Sequence, residues 1–343
     1  MKELVCKKRV LLVANYAEGV GGISGQVELI HKHLKEEGIK SDIFSLGGGV
    51  FRRLWAYTRL LFKISRYDIV NIHACSHRGF LPAIAGVRAG KLLGKKIILT
   101  YHGGEADTFF SKHTKLCRRI FCNTDVNIVL SGYLASVFEK YGFPYTVIPN
   151  IIDIPDGVFR ARSLISPRFI SIRSLEPVYN IQCILKAFAI VKKELPEATL
   201  DILGSGSMRN QLEQFVMSEN IEGVKFRGRI PNGQIIQWLD KADVMVSAPL
   251  ADNQPMSLLE AFSCGLLVIS SNVGGVPYML SDGVNGLLFP SGDYEMLAGK
   301  MLEAVNGGSS SVNMTLAAYR GLDKHRWESV KPLLLEAYGI DYI

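Results

Sequence analysis

Short apolar runs alternate with amphipathic segments along the whole chain. The first run, 9–15, has the length of a strand, and Val27, Ile30 and Leu34 then recur at helical spacing until Gly38. Strands that alternate with helices in this way form parallel sheets with helices on both faces. The pattern therefore predicts an α/β protein.

The same reading assigns most of the chain to strands and helices. The predicted strands are 9–15, 39–46, 68–73, 96–101, 125–130, 146–148, 168–172, 199–203, 224–228, 244–248 and 266–270. Two predicted helices begin at Ser24 and Met208, and a short one has Ser257 as its cap. The other predicted helices cover 51–67, 81–93, 133–141, 181–194, 235–242 and 327–338. The Ser/Gly/Asn-rich segment 306–313 predicts a loop.

Length and cysteine usage limit the class of protein. The 343 residues suffice for two domains. We expect a first domain over 1–153 and a second over 154–324. The six cysteines form no C-x-x-C pair, and no apolar run has the length of a transmembrane helix. We expect a cytoplasmic protein.

Positive charge is concentrated in the first half of the chain. Residues 1–153 carry 22 Lys+Arg and 12 Asp+Glu, a balance of +10, within a total of +7. The predicted helix 51–67 contains only basic charges, interleaved with aromatic residues and leucines. Such a helix can lie on an anionic bilayer or pack its apolar stripe on the sheet, and both can hold together. The candidate membrane residues are Arg52, Arg53, Trp55, Arg59, Lys63 and Arg66.

Candidate chemistry lies where predicted strands end. Asp252 follows one strand, and Glu260 comes eight residues later in a short helix that Ser257 would cap as a Ser-x-x-Glu box. The first N–H groups of such a helix bind anions. Arg173 and His102 each follow a strand directly, at the edge where parallel sheets bind ligands.

These motifs together resemble the retaining glycosyltransferases of family 4, which share the GT-B fold of two Rossmann-like domains. The resemblance extends over nearly the whole chain. It implies a hinge between the domains at Pro149-Asn150 and a returning helix at 325–343 that completes the first domain. It implies that His102, Asp252 and Arg173 are catalytic, with His102 and Asp252 orienting the transferred sugar. It implies a nucleotide-sugar site whose further members are Gly21, Gly22, Arg229, Ile230, Ser257, Leu258, Leu259 and Glu260, the last holding the ribose.

The chain departs from the family pattern at two positions. Asp252 stands where the family usually has Glu. Val178 stands where the family has a diphosphate-binding Lys, although Glu176-Pro-Val-Tyr179-Asn180 resembles a variant found in one branch. Compensating charge is expected from Arg209, Arg227 or Arg229. Glu105 is a weaker candidate for contact with the acceptor.

The resemblance implies transfer of a sugar from a nucleoside-diphosphate sugar, expected to be a UDP-sugar, to a sugar or lipid-linked glycan acceptor. Retention of configuration, no cofactor and no metal are implied, together with a role in cell-envelope polysaccharide or glycolipid synthesis. We also expect peripheral membrane association and no nucleic-acid partner. The alternatives are a nucleotide-sugar epimerase of the same fold, a non-enzymatic protein that binds membrane or nucleic acid through 51–67, and a dinucleotide oxidoreductase.

Overall fold

The chain folds into two compact units in the computed structural model, which describes residues 8–18, 21–47 and 50–340, with the backbone alone for 50–55. One unit contains residues up to Asp153 together with those from Lys324 onward, and the other contains Ile154–Asp323. Each unit has its own parallel sheet.

The first unit is built on a six-stranded parallel sheet in the order β2-β1-β3-β4-β5-β6. The strands are β1 (Val10–Ala14), β2 (Ser41–Ser45), β3 (Ile69–Ala74), β4 (Lys96–Tyr101), β5 (Val126–Val129) and β6 (Thr146–Val147). The helices are α1 (Ile23–Glu36), α2 (Val50–Ser65), α3 (Leu81–Leu92), α4 (Ala106–Phe121), α5 (Gly132–Lys140) and, from the end of the chain, α12 (Trp327–Tyr338).

Helices cover both faces of this sheet. Helices α2 to α5 enclose one core, in which Phe110, Phe121 and Phe138 are fully buried. Helices α1 and α12 enclose the other. Trp327 at the start of α12 is 6% exposed and stacks on the ring of His33, with centroids 4.7 Å apart. The predicted final helix is present as α12 and contributes to this core.

The second unit repeats the arrangement, with strand order β12-β11-β10-β7-β8-β9. Its strands are β7 (Arg168–Ile172), β8 (Thr199–Leu203), β9 (Val224–Gly228), β10 (Val244–Ser247), β11 (Leu267–Ser271) and β12 (Leu287–Phe289). Its helices are α6 (Ile181–Glu194), α7 (Arg209–Ser218), α8 (Asn232–Leu239), α9 (Met256–Ser263), α10 (Tyr294–Asn306) and α11 (Ser309–Arg320). The predicted class, α/β with two doubly wound sheets, is confirmed.

The predicted loop at 306–313 is wrong, because most of it belongs to α11. Gly308, with φ +53°, separates α10 from α11. Ser311 and Thr315 lie on the internal face of this helix and are fully buried, whereas Ser309, Ser310 and Asn313 are exposed. The hydroxyl of Thr315 donates to the carbonyl of Val312 one turn earlier (2.8 Å), which satisfies it inside the helix.

The strand order reverses once in each sheet. In the first sheet β1 lies between β2 and β3, and in the second β7 lies between β10 and β8. Loops diverge at the carboxyl ends of such neighbouring strands and leave a crevice that binds ligands. In the second sheet these loops carry Arg173, which follows β7, and Asp252, which follows β10.

Candidate functional site

Arg173 is fixed by contacts from three loops of the second unit. Its backbone N–H donates to the carbonyl of Leu203 at the end of β8 (3.1 Å). Nη1 donates to the hydroxyl of Ser257 (3.1 Å), and Nη2 forms an ion pair with Asp252. The guanidinium also lies over the ring of Tyr179, 4.4 Å from its centroid. Since the side chain is only 9% exposed, Arg173 is a positioned cation at the switch point of the sheet.

Glu260, on α9, shares the electrostatic environment of Arg173. Burial raises the pKa of Glu260 to about 7, and the positive charge of Arg173 limits this rise. Burial also lowers the pKa of Arg173, although an arginine stays protonated at neutral pH. A carboxyl group with a pKa near neutrality can accept hydrogen bonds from a ligand at little cost, because the bonds stabilise its charged form.

The predicted capping role of Ser257 is wrong. Helix α9 begins at Met256 with Pro255 in the N-cap position, so Ser257 already lies within the first turn and its side chain caps nothing. Proline at this position fixes a backbone angle that favours entry into a helix. The hydroxyl of Ser257 accepts instead from Arg173. The backbone N–H groups of residues 257–259 were expected to face a ligand. That of Leu258 donates instead to the carbonyl of Pro255 (3.2 Å). The side chains of Leu258 and Leu259 are buried.

Two glycine loops pack directly on the backbone of Arg173 and Asp252. A Cβ atom on Gly204 would lie 2.0 Å from the carbonyl oxygen of Arg173, and one on Gly274 would lie 2.0 Å from that of Asp252. Both glycines have positive φ, +143° and +51°. The Gly204-Ser-Gly206 sequence is therefore explained by close packing around Arg173.

Val178, which occupies the position of the family's lysine, contributes through its backbone. Its carbonyl accepts from the N–H of Leu250 (2.7 Å) and so joins the loop after β7 to the loop after β10.

Of the three arginines considered as substitutes for this lysine, two are already paired. Arg227 forms an ion pair with Asp201 (2.6 Å) and lies over the ring of Trp238. Arg209 pairs with Glu213 (2.9 Å). Arg229 is exposed and has no carboxylate partner among residues 8–18, 21–47 and 50–340, and the neighbouring Ile230 is half-buried. Arg229 is thus the arginine of the three that remains available to an anion.

In the first unit, His102 follows β4 and continues its ladder. Its N–H donates to the carbonyl of Ala74 (2.8 Å), and its Nε2 lies 3.0 Å from Nδ1 of His73. Burial lowers the pKa of His102 to about 3, so its ring is neutral. Gly103 is required beside it, because a Cβ atom there would lie 2.7 Å from both the Ser76 and Tyr101 hydroxyl oxygens.

Glu105 ends the same loop at the beginning of α4. It forms an ion pair with Nε2 of His77 (3.5 Å), and both side chains are about half exposed. His77 has φ +56°, a conformation that is uncommon for a residue with a side chain. Because the side chain of Glu105 is half exposed, its carboxylate is accessible to a ligand.

Gly21 and Gly22 form an exposed turn before α1. Gly22 has φ +67° and occupies the N-cap position, so α1 begins at Ile23, one residue before the predicted start. Ser24 is buried instead, and its hydroxyl accepts from the N–H of Ala17 (3.1 Å). The glycine turn is thus held close to the end of β1.

Helix α2 packs its apolar stripe on the first sheet, where Leu60 and Ile64 are buried. The side chains of Arg52, Arg53 and Trp55 lie outside the described residues. Of the remaining candidates, Lys63 pairs with Asp42 (3.1 Å), whereas Arg59 and Arg66 are exposed.

An exposed apolar pair remains on the same helix. Leu61 is 40% exposed and Phe62 is 65% exposed, with Arg66 lying over the ring of Phe62. In the part of the chain that the structure describes, no helix is both long and apolar enough to span a bilayer. Within the same part, no three His, Cys, Asp or Glu side chains are grouped so as to hold a metal ion.

Two family models match the chain, one on each unit. The model of "Glycosyl transferases group 1" matches residues 160–321, which include Arg173, Asp252 and Glu260. The model of "Glycosyltransferase Family 4" matches residues 20–155, which include His102.

Three similar curated proteins are glycosyltransferases of two bacteria and one archaeon. The amylovoran biosynthesis glycosyltransferase AmsK of Erwinia amylovora is 28% identical over 71% of this chain and 63% of its own length. An uncharacterized glycosyltransferase of Methanocaldococcus jannaschii is 25% identical over 87% and 88%. The putative colanic acid biosynthesis glycosyltransferase WcaL of Salmonella typhimurium is 26% identical over 64% and 59%. The chain thus spans about three fifths of the length of two of these relatives.

Solved structures share the fold at low identity. HepE of Anabaena, solved in complex with UDP and glucose, has a TM-score of 0.76 at 17% identity, with 97% of this chain and 99% of that chain covered. The sucrose-phosphate synthase of Thermosynechococcus elongatus has a TM-score of 0.82 at 16% identity, with 97% and 98% covered. Both likenesses establish the GT-B fold.

Proposed function

Because this chain belongs to the group 1 glycosyltransferases of the GT-B fold, we propose that it transfers a sugar from a UDP-sugar to a sugar or lipid-linked glycan acceptor. We further propose retention of the anomeric configuration and no need for a metal. The observation that carries the proposal is Arg173, a nearly buried cation held by Ser257, Asp252 and Tyr179 at the switch point of the second sheet.

Arg173 would bind the diphosphate of the donor. A guanidinium makes two parallel hydrogen bonds to phosphate oxygens, and its planar shape suits this site because Tyr179 already orients the plane. Arg229 would supply the second positive charge, since it is exposed and free of carboxylate partners in the described ranges. Glu260 would accept hydrogen bonds from the ribose hydroxyls.

Transfer requires stabilisation of the negative charge that develops on the departing nucleoside diphosphate. Preorganised donors at such a position are worth about 3–4 kcal/mol each. Arg173 fits this task, because its contacts are formed before any ligand binds. Asp252 and His102 would orient the sugar through its hydroxyls, and no residue is assigned as a nucleophile. The sequence has no Asp-x-Asp motif, which supports a mechanism in which arginine replaces a metal ion.

Two observations support the choice of donor and acceptor. HepE, which shares the fold, was solved in complexes with UDP and with UDP-glucose. AmsK and WcaL are named for amylovoran and colanic acid biosynthesis, so a growing polysaccharide or its lipid-linked precursor is the acceptor class we propose. Exposed Leu61, Phe62 and Arg66 on α2 support peripheral contact of the first unit with an anionic membrane. A nucleic-acid partner is not proposed.

The donor is tested by isothermal titration of UDP, GDP and ADP into the wild-type protein, with and without EDTA. We expect binding of UDP that EDTA leaves unchanged. Glu260→Ala should abolish it, whereas Glu219→Ala, at an exposed position after α7, should not. Equal binding by the two variants would overturn the site, and preferential binding of GDP or ADP would overturn the choice of donor.

The reaction is tested by incubating UDP-sugars with and without saccharide acceptors and determining the products by NMR. Retention predicts that the new linkage has the anomeric configuration of the donor. The comparisons give no support to the epimerase alternative, which predicts a changed nucleotide sugar without any acceptor. Inversion at the anomeric carbon, or loss of activity in EDTA, would contradict the proposed mechanism.

A further inference from the structure

His102 has a buried histidine behind it. His73 lies on β3, next to β4, in register with Thr100, two residues before His102. Its Nδ1 is 3.0 Å from Nε2 of His102, and the two rings are stacked with centroids 5.2 Å apart. The side chain of His73 is 1% exposed. The two imidazoles therefore form one hydrogen-bonded pair at the carboxyl edge of the first sheet.

The pair shares a single proton in that hydrogen bond. Burial lowers the pKa of both rings, so each is neutral and carries one N–H. If Nε2 of His102 donates to His73, then Nδ1 of His102 carries a lone pair and can accept a hydrogen bond from a ligand. If Nδ1 of His73 donates, His102 carries its proton on Nδ1 and donates to a ligand. Which nitrogen carries the proton is set by the bond that the other nitrogen makes.

The other ring nitrogen of His73, Nε2, is buried and makes no hydrogen bond in the described residues, and a small cavity adjoins the residue. The residues His73, Thr100 and His102 line this cavity, which has a volume of about 20 Å³. This volume holds one water molecule. The hydroxyl of Thr100 already donates to Oδ1 of Asn71 (2.9 Å), and Asn71 in turn donates to Tyr338 (2.8 Å). The proton of the Thr100 hydroxyl is therefore already used within the sheet.

A water molecule in this cavity can either accept from Nε2 of His73 or donate to it, so the two rings themselves decide the direction. Neutral histidine prefers its proton on Nε2, and we assign that form to His73. His73 then has a lone pair on Nδ1, which accepts from Nε2–H of His102. Both rings are in the Nε2–H form, which is the intrinsically preferred tautomer of neutral histidine. The opposite direction would place both rings in the less favoured Nδ1–H form.

We propose that His73 is a positioning residue that fixes His102 with a lone pair on Nδ1, so that His102 accepts a hydrogen bond from a hydroxyl of the sugar substrate. The inference rests on the proposed function for the identity of the ligand. The tautomer itself follows from the geometry of the pair and from the preferred form of neutral histidine.

The test is long-range ¹H–¹⁵N NMR of the histidine rings in the full-length protein. We expect His102 to show one tautomer, protonated on Nε2, with its signals identified by comparison with His102→Ala. In His73→Phe, whose ring fills the space without nitrogen atoms, His102 should show a mixture of tautomers. In His73→Asn the amide oxygen takes the place of Nδ1 as acceptor, so the single tautomer should return.

Transfer kinetics provide the second measurement. His73→Phe should lower kcat about tenfold, the value of one misdirected hydrogen bond, and His73→Asn should recover most of it. A proton on Nδ1 of His102 in the wild type, or an unchanged tautomer in His73→Phe, would overturn the inference. If the NMR result is as expected but the protein binds no nucleotide, the proposed function fails and the role of His73 stands. If His73→Phe does not fold, His73→Leu, which also removes both ring nitrogens, takes its place in the NMR comparison.

Discussion

The side chains of Arg173 and Asp252 form an ion pair across two loops that follow adjacent strands, β7 and β10. The arginine is 9% exposed and the aspartate 17%, so water screens the pair little. An anionic diphosphate bound by Arg173 would compete with Asp252 for the same cation. The pair therefore predicts that Asp252 has different effects on nucleotide binding and on transfer.

We expect Asp252→Asn to lower kcat about 100-fold or more, since the proposed contact with the sugar loses its charge. The same change should leave the affinity for UDP unaltered or increase it, because Arg173 loses a competing anion. Calorimetry with UDP and initial rates with the donor measure the two effects. A parallel fall in affinity and kcat would contradict this reading of the pair.

Arg173→Lys should weaken UDP binding about 10- to 100-fold, within the 1.5–3 kcal/mol expected for a charge-assisted hydrogen bond. A lysine is a point charge, so it cannot pair with Asp252, bond to Ser257 and lie flat on Tyr179 at once. Arg227→Lys is the matched control, because Arg227 pairs with Asp201 and should tolerate the change. Equal losses in both variants would indicate a general effect of charge and not a specific site.

Gly204→Ala should reduce stability by about 3 kcal/mol or more and impair UDP binding as well. The added methyl group would meet the carbonyl of Arg173 at 2.0 Å, so the end of β7 must move. Gly299→Ala in the middle of α10 is the control, since open space surrounds its Cβ position. It should stabilise the protein by about 0.5–1 kcal/mol. Urea denaturation measures both, and a tolerated Gly204→Ala would show that the loop adapts.

The sequence was sufficient to locate Arg173, Asp252 and His102 at strand ends. Apolar runs of strand length locate the strands, and parallel sheets bring all carboxyl ends to one edge. The partners of these residues were not predictable in the same way. Ser257 contacts Arg173 only because α9 and the loop after β7, which are distant in sequence, converge. The local Ser-x-x-Glu pattern favoured a cap that Pro255 replaces.

His73 gave no functional signal because it lies inside a buried strand, where alternation predicts only core. Its importance depends on β3 and β4 being neighbours, which a linear pattern does not specify. For segment 306–313 the composition predicted a loop, whereas most of the segment is helical. Serine and threonine are common in loops, yet Ser311 and Thr315 are small enough to be buried on one face of α11.

The pH dependence of stability should report the burial of Glu260. Its pKa is about 7 in the folded protein and near 4.5 when unfolded, so the folded state binds more protons between these values. Stability therefore falls as pH rises from about 4.5 to 7, by at most about 3 kcal/mol. Glu260→Gln should be more stable than the wild type at pH 8 and similar at pH 4.5. Glu219→Gln should change neither value, and a less stable Glu260→Gln at pH 8 would refute the assignment.

Asp243 should be the most sensitive carboxylate in the second unit. Its side chain is 1% exposed and pairs with Arg160 (2.9 Å), Arg162 (2.8 Å) and Arg168 (2.7 Å). Arg162 is itself 1% exposed, so Asp243→Asn leaves a buried cation without a counter-charge. We expect a loss of about 3–5 kcal/mol in urea denaturation at pH 7. Arg168→Gln removes a half-exposed partner and should cost about 1 kcal/mol or less.

The effect of acid on Asp243 has a definite sign. Burial raises the pKa of Asp243, and the hydrogen bonds from Arg168 and Arg162 lower it. The lowering effects together are larger, so the pKa lies below its usual value of 3.8. The stability that Asp243 contributes is therefore present above about pH 4 and is lost as pH falls through the folded pKa. The difference between the wild type and Asp243→Asn should shrink in acid. A difference below about 1 kcal/mol at pH 7, or one that grows in acid, would show that the three arginines do not depend on Asp243.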